Sequence, residues 1–328
     1  MSGDLRVWVL APIFDDWDSA ARLLCDLDAA APSIGSVTVV LIDDGSREPP
    51  PHDFAAGPFE NLDEVKIVHL GRNLGHQRAL AVGLVWATQN TDAEYVVVMD
   101  GDGEDRPSDV PRLLEEAQRQ EGRKVVFAAR TKRMESAWFQ FGYRAYRMVH
   151  YWLTGIKVRV GNFSVIPKVY LKKVVLAPEL WNHYAASVFR TKIPNLSIPI
   201  ARGSRYAGRS KMNFVSLVLH GLGAISVFLD VLGARLLVLL GGIGAITFLG
   251  IAAIVAIRFW SRLAIPGWAT TAAGLLSVIL LQTMTLMLMF VFVILATRSA
   301  ATIMPLRDCP QFVQEVETRY ERLRVHRL

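Results

Sequence analysis

The chain has 328 residues, 52% of them hydrophobic and 20% charged, with a mean hydropathy of +0.29 and a formal net charge of +6. Such a balance excludes a disordered chain, a collagen-like repeat and a disulfide scaffold. The apolar excess is concentrated: from Val231 to Thr297 only Arg235, Arg258 and Arg262 carry charge. Upstream of that stretch, charge and turn residues occur at the density of a soluble domain. A soluble domain joined to a membrane anchor is what the composition leaves. Cys25 and Cys309 are the only cysteines and show no metal or CxxC spacing, as expected in a reducing compartment. Met1–Leu10 shows no basic segment followed by a long apolar one, so no secretory signal is expected. The positive balance suits phosphates or anionic lipid headgroups. No recognised nucleic-acid motif accompanies it, so nucleic acid is not an expected partner.

In chain order, Leu5–Leu10, Val37–Ile42, Val65–Leu70, Tyr95–Met99 and Val125–Ala129 read as short Val/Ile-rich strands of the kind buried on both faces. Asp18–Ala30, Gln77–Gln89 and Ser108–Gln120 read as helices between them, the last with Ser108 as N-cap and Pro111 in its first turn. This alternation predicts an α/β domain with a mostly parallel sheet, whose ligands sit beyond the carboxyl ends of the strands. Polar residues follow the first four strands directly: Pro12-Ile13-Phe14-Asp15-Asp16, Asp43-Asp44-Gly45-Ser46, Gly71-Arg72-Asn73-Leu74-Gly75-His76-Gln77 and Asp100-Gly101-Asp102-Gly103-Glu104-Asp105; Arg130 follows the fifth.

Carboxylates gathered at one sheet edge repel one another and call for a cation or a polar ligand. Asp100 and Asp102, two residues apart after a buried strand, can share a hard divalent ion, Mg²⁺ or Mn²⁺, with Glu104 as a third oxygen ligand. An EF-hand is excluded, because Asp105 and Pro111 stand where it needs a glycine and a glutamate. No GxGxxG follows the first strand and no GxxxxGK[ST] occurs anywhere, so neither a dinucleotide fold nor a P-loop is supported.

Trp138–Leu153 interleaves seven aromatic residues with Arg144, Arg147 and His150, the composition of an amphipathic helix at a membrane interface. Met212–Leu229, interrupted by His220, Gly221 and Gly223, reads as an interfacial helix; a third full span there would put the C-terminus on the opposite face of the bilayer. Leu236–Ile257 and Ala272–Leu295 read as two spans, with Trp268 at the interface. The basic residues Arg298, Arg307, Arg319, Arg322, Arg324 and Arg327 place the shared side of this hairpin in the cytoplasm. The expected organisation is a cytoplasmic catalytic domain over 1–211, an interfacial helix over 212–232, two transmembrane helices over 233–298 and a basic cytoplasmic tail over 299–328.

Asp43-Asp44-Gly45-Ser46, Arg72-Asn73-x-Gly75-His76-Gln77, Asp100-x-Asp102 and Arg205-x-x-Gly208-x-Ser210-Lys211 occur in that order, and a pair of spans follows. Together they resemble the family 2, GT-A-fold glycosyltransferases that load a sugar onto polyprenyl phosphate, the group of dolichyl-phosphate mannose synthase and the bactoprenol glucosyltransferases. The resemblance implies a GT-A nucleotide-diphospho-sugar transferase domain in the cytoplasmic (inner) membrane, a UDP-sugar as favoured donor, polyprenyl (undecaprenyl) phosphate as acceptor, and inversion at the anomeric carbon. Carried over by position, Pro12, Asp16, Asp43, Asp44, Arg72, Asn73, Gln77 and Asp100 resemble donor contacts, with Asp16 and Asp43 or Asp44 at the nucleoside. Asp100, Asp102 and Glu104 resemble the metal site for Mg²⁺ or Mn²⁺, with Glu104 where glutamine is usual. Arg130 and Arg144 resemble the arginines that hold the acceptor phosphate and, with Asp102, carry catalysis. Arg205, Ser210 and Lys211 resemble the loop that closes over the donor diphosphate. Asn162 in Gly161-Asn162-Phe163-Ser164 stands where many members have aspartate, and Phe14-Asp15-Asp16 where Tyr-Asn-Glu is common.

The chemistry agrees with that resemblance. A phosphomonoester with a second pKa of about 6 is already anionic at neutral pH and needs no general base. The leaving diphosphate instead needs cations, and paired arginines grip a phosphate in a bidentate fork. A processive polysaccharide synthase would need more spans and a Gln-x-x-Arg-Trp signature, which is absent. The alternative from another class is a catalytically silent protein that binds sugar nucleotide or lipid within a membrane glycosylation complex. A homo-oligomer is compatible with either.

Overall fold

The computed structural model describes residues 5–130, 160–206, 221–260, 267–299 and 303–322. By compactness the chain divides into two units. One contains 5–130, 160–206, 221–227 and 303–322; the other contains 228–260 and 267–299.

The first unit is a GT-A-like α/β domain. Its strands are β1 (Arg6–Ile13), β2 (Ser36–Asp43), β3 (Leu62–Leu70), β4 (Tyr95–Val98), β5 (Val125–Arg130), β6 (Val160–Pro167), β7 (Asn195–Ile200) and β8 (Val313–Glu321). They form one sheet in the order β7-β5-β6-β4-β1-β2-β3-β8. The β1–β2, β1–β4, β2–β3 and β5–β7 pairs are parallel, while β3–β8, β4–β6 and β5–β6 are antiparallel. The five strands expected from sequence are β1 to β5.

Helices cover both faces, which explains why the central strands are apolar without interruption. In β1, Val7, Val9, Ala11 and Ile13 point into one core and Trp8 and Leu10 into the other. The first core is closed by α1 (Trp17–Ala30) and α3 (Val110–Arg119). Along α1 the buried residues Ala20, Leu23, Leu24 and Leu27 follow a helical repeat and make one stripe. The second core is closed by α2 (His76–Asn90), α4 (Lys168–Val175) and α5 (Tyr184–Arg190).

Two expectations are corrected. Ser108 does not cap the third helix: Pro107–Asp109 forms a turn of 3-10 helix, and Asp109 precedes α3 with its carboxylate on Arg106 at 2.8 Å. Nor is 299–328 a mere tail. Pro305–Asp308 and Cys309–Phe312 form short helical turns, Cys309 is fully buried, and β8 pairs antiparallel with β3 along its length. Phe312 stacks on Trp181 at 5.3 Å, and its carbonyl accepts the Gly71 N–H at 3.0 Å. The charges of β8 hid this strand from a periodicity argument, since an edge strand is free to be polar.

The second unit pairs α6 (Leu229–Trp260) with α7 (Trp268–Ser299). Both are long and apolar enough to cross a membrane, and almost none of that length is buried within the structure. Glycines of α6 bring the pair together: Gly233 meets Ile294, Gly244 meets Leu280 and Thr283, and Gly250 meets Leu276. The descending order of those partners makes the pair antiparallel. Of the expected interfacial helix, 221–226 is helical and the residues before 221 lie outside the described ones.

Gly83 on α2 faces Ile42 of β2, and a Cβ placed there would come within 2.5 Å of the isoleucine side chain. Gly83→Val is expected to cost about 1–3 kcal/mol of stability by overpacking, read as a lowered melting temperature of the detergent-solubilised chain.

Candidate active site

The pairings fix which residues share an edge. β1, β2, β3 and β4 run the same way; β6 runs against both β4 and β5, so β5 and its parallel partner β7 run with the central strands. The carboxyl ends of β1–β5 and β7 therefore lie on one edge. The chain proceeds from β1 outward to β2 and β3, then crosses back to β4 on the other side of β1, so a crevice opens between the ends of β1 and β4. There the acidic turn approaches β1 closely: a Cβ on Gly101 would lie 3.2 Å from Ile13 and 3.3 Å from the Pro12 carbonyl.

The turn after β4 is shaped by its own carboxylates. The Asp100 N–H donates to Asp105 at 2.9 Å, and the Glu104 N–H donates to Asp102 at 3.0 Å. The segment after β7 is pinned onto this turn. The Gly203 N–H donates to the Glu104 carbonyl at 2.8 Å and the Tyr206 N–H to the Asp102 carbonyl at 2.9 Å. Gly203 is required by proximity, since a Cβ there would sit 2.5 Å from the Gly103 carbonyl oxygen. Arg205 then reaches two carboxylates at once, Asp102 at 2.8 Å and Glu104 at 3.1 Å, and Arg202 pairs with Glu104 as well. The far side of the segment is held by Arg22, which donates to the Tyr206 carbonyl, and by the Tyr206 hydroxyl, which donates to Asp26 at 2.6 Å. A cavity of about 580 Å³ beside it is lined by Asp26, Ser33, Arg106, Ser204 and Tyr206 among others, and by none of the expected donor or metal residues.

Among the described residues, no three His, Cys, Asp or Glu side chains converge closely enough to hold a metal ion. The expected ligands are instead divided between cations of the protein. Asp102 and Glu104 take Arg205, while Asp100 lies 3.2 Å from His76 Nε2. Desolvation disfavours a charged His76, but the pull of Asp100, with Asp102 and Asp44 beyond it, holds its pKa above the ordinary histidine value. Asn162 Nδ2 also lies 2.9 Å from the same Nε2. An unprotonated nitrogen suits Asn162 as donor and a protonated one suits Asp100, so the proton at Nε2 decides which it binds.

Gln77, expected at the donor, is tied to the domain at both ends of its amide. Its Oε1 accepts the Tyr184 N–H at 2.8 Å and its Nε2 donates to Asn162 at 3.2 Å. Asp44 is likewise internal: its carboxylate accepts the N–H groups of Leu74 and Gly75 at 2.7 and 2.9 Å, holding the start of α2. Burial raises its pKa more than those bonds lower it. Gly45 allows this approach, because with φ of +70° its Cα faces the backbone of Arg72 and Asn73 at distances no Cβ would fit. Arg72 and Asn73 themselves are exposed at the crevice edge.

On the β2 side, the Asp43 carboxylate accepts the Ser46 N–H and meets His69 Nδ1, both at 2.9 Å. Burial would raise its pKa, but these bonds bring it below the ordinary aspartate value. The Ser46 hydroxyl accepts the Asp15 N–H at 2.9 Å, and the Asp15 carboxylate pairs with Arg47 at 2.6 Å. Asp16 precedes α1 without using its side chain as a cap.

The edge thus brings together Pro12, Asp16, Asp43, Asp44, Arg72, Asn73, Asp100, Asp102, Glu104 and Arg205. Arg130 ends β5 on the same edge, with its side chain outside the described residues. Arg144, Ser210, Lys211 and the aromatic stretch Trp138–Leu153 also lie outside them. Sequence reasoning missed Arg202 and His69. Arg202 stands three residues before Arg205 and was legible as half of a pair; nothing local marked His69, whose partners lie 26 and 248 residues away.

The model of glycosyl transferase family 2 matches residues 8–175, just over half of the chain, and the chain belongs to that family. Undecaprenyl-phosphate 4-deoxy-4-formamido-L-arabinose transferase of Klebsiella pneumoniae is 26% identical over 220 residues, which cover 65% of this chain and 64% of that protein's length. Glucosyl-3-phosphoglycerate synthase of Mycobacterium tuberculosis, solved with Mn²⁺, UDP-glucose and phosphoglyceric acid, superposes with a TM-score of 0.46 at 15% identity, covering 70% of this chain and 80% of that one. The mannosyltransferase PcManGT of Pyrobaculum calidifontis, solved with GDP-Man and Mn²⁺, gives 0.42 at 14% identity over 91% and 90%.

Removing the Asp44 carboxylate leaves two backbone donors at the start of α2 without an acceptor. Asp44→Ala is expected to lower stability by about 3 kcal/mol, measured by denaturant unfolding followed through tryptophan fluorescence.

Proposed function

We propose that this family 2 chain is a membrane-bound inverting glycosyltransferase that moves a sugar from a nucleotide-diphosphate sugar, by preference a UDP-sugar, to polyprenyl (undecaprenyl) phosphate. The observation that carries the proposal is the Asp102–Arg205–Glu104 arrangement at the carboxyl edge of the sheet. A carboxylate pair that already accepts a cation stands beside a guanidinium suited to a diphosphate, and both face the crevice where such sheets bind ligands. The Klebsiella relative acts on undecaprenyl phosphate by name and supports the choice of acceptor.

By chemistry, three carboxylates on one turn are the oxygen donors that a hard divalent ion takes. Asp102 and Glu104, with Asp100 at the head of the same turn, would hold Mg²⁺ or Mn²⁺ through carboxylate oxygens. An ion held by these carboxylates would supply positive charge to the departing diphosphate. Arg205, now paired with Asp102 and Glu104, would then be available to bind the diphosphate. Arg130 and Arg144 bind the acceptor phosphate. Its oxygen, anionic without help, attacks the anomeric carbon from the face opposite the breaking bond to diphosphate, which inverts the configuration. His76 stays against Asp100 and holds that carboxylate's orientation.

Two long apolar helices with almost no protein around them need a non-aqueous surrounding, and a bilayer provides it. That β8 follows both helices yet pairs with β3 supports an even number of crossings between them. Two crossings satisfy that, whereas a third at Met212–Leu229 would not. The basic flanks favour the cytoplasm for the catalytic domain.

The test is a donor panel presented with Mg²⁺ or Mn²⁺ and undecaprenyl phosphate to the purified full chain, with mass spectrometry of the lipid. One donor should yield a glycosylated lipid phosphate. Nucleotide binding without product from any donor would favour the silent partner. Asp102→Asn should lower turnover about a hundredfold or more while the melting temperature holds, and Arg130→Ala should raise the KM for lipid phosphate more than that for donor. Arg205→Gln should strengthen binding of Mn²⁺ alone by several-fold in calorimetry, since it removes a competing cation, and should weaken binding of the nucleotide diphosphate in the presence of Mn²⁺.

A further inference from the structure

β8 does more than cover the edge of β3. Its Glu317 carboxylate lies 3.6 Å from His69 Nε2, while Nδ1 of the same ring meets Asp43 at 2.9 Å. His69 is therefore held between a carboxylate at the carboxyl end of β2 and one on the strand that follows the two apolar helices. From Asp43 the chain of contacts continues into the loops after β2 and β1. Asp43 accepts the Ser46 N–H, the Ser46 hydroxyl accepts the Asp15 N–H, and the Asp15 carboxylate accepts the Arg47 N–H at 2.8 Å. The loops after β1 and β2, which flank the crevice, are thus linked through one imidazole to β8.

We propose that His69 is a positioning residue of the nucleotide site, and that β8 completes that site by holding His69 through Glu317. The inference rests on the nucleotide-sugar reading above. The charged groups around His69 are Asp43 on β2, with Asp44 next to it, and Glu317 on β8; Arg319 lies 2.9 Å from Glu317 and Glu315 stands opposite His69 in the pairing register. In the doubly protonated ring Nδ1–H donates to Asp43, and the cationic ring attracts the Glu317 carboxylate 3.6 Å from Nε2. Loss of a proton keeps the Nδ1 bond to Asp43 and turns Nε2 into a second acceptor facing Glu317, which loosens the hold of β8. The Asp43 bond, followed by the attraction of Glu317, raises the His69 pKa above the ordinary histidine value despite partial desolvation. The doubly held arrangement is therefore complete below that ordinary value and is lost as pH rises through the raised one.

A consequence is an order of assembly. The donor site reaches its final geometry only when a strand made after both apolar helices has returned to the sheet.

The test is calorimetric binding of UDP and of GDP to the full chain in detergent with Mn²⁺, across the neutral pH range. Wild type should bind one of the two nucleotides, more weakly as pH rises through the His69 transition. His69→Asn retains a donor at the Nδ1 position but has nothing to reach Glu317; it should bind about tenfold more weakly at low pH and lose that part of the pH dependence. Glu317→Gln should shift the transition to lower pH, with the melting temperature of each variant confirming that it is folded. If wild type binds a nucleotide and both variants follow its pH course with unchanged affinity, the role of His69 and β8 is overturned while the nucleotide reading stands. If wild type binds neither nucleotide, that reading falls and this inference with it.

Discussion

Carboxylates crowded onto one edge of a sheet cannot stay unneutralised, and much of the domain around the crevice is an answer to that constraint. Asp43, Asp44, Asp100, Asp102, Glu104 and Asp105 all follow strands that point the same way. Each is met differently. Asp44 takes backbone N–H groups of the turn before α2, Asp105 takes the Asp100 N–H, Asp43 takes His69 and Ser46, and Asp100 faces His76. Asp102 and Glu104 take Arg205, brought in on a segment anchored from β7. Their partner is thus a side chain on a connecting segment rather than on the body of the sheet. Side chains of that kind can exchange one partner for another, which suits a pair proposed to receive a metal ion.

Division of labour among these acids follows from burial. Asp43 and Asp44 are only 6% and 3% exposed, so their bonds are internal and build the loops. Asp102 and Arg205 keep about a quarter of their side-chain surface, 23% and 26%, in contact with solvent. Adjacent acids in one tetrapeptide, Asp43-Asp44-Gly45-Ser46, therefore both bond within their own loops, and the more accessible Asp102 lies on the turn after β4.

The two units pose opposite physical problems. In the sheet domain, apolar faces are buried by helices on both sides and the exposed edge is polar. In α6 and α7 the apolar surface faces outward, and glycines of α6 let side chains of α7 approach its backbone. Return of the chain to β3 after α7 binds these two solutions into one polypeptide topology, in which β8 belongs to the sheet although the apolar pair precedes it.

The alternation of Val/Ile-rich runs with amphipathic helices identified β1 to β5 and α1 to α3 from sequence, because strands buried on both faces and helices buried on one leave periodic marks over a few residues. The clustering of Asp, Gly and Arg after those strands marked their shared carboxyl edge for the same local reason, and 22 or more uncharged residues in a row announced the apolar helices without reference to any partner. What needed the tertiary structure was whatever depends on distant pairing. β6 and β7 run in a region without clear alternation, β8 is an edge strand whose charges hide it, and His69 acquires meaning only between Asp43 and Glu317. Nor could sequence decide that Gln77 and Asp44 would be bound within the domain while Arg205 closed on Asp102 and Glu104. Residue type and spacing are local properties and determined the class of chemistry; which carboxylate meets which cation is set by the register of strands far apart in the chain, and only the folded sheet decides it.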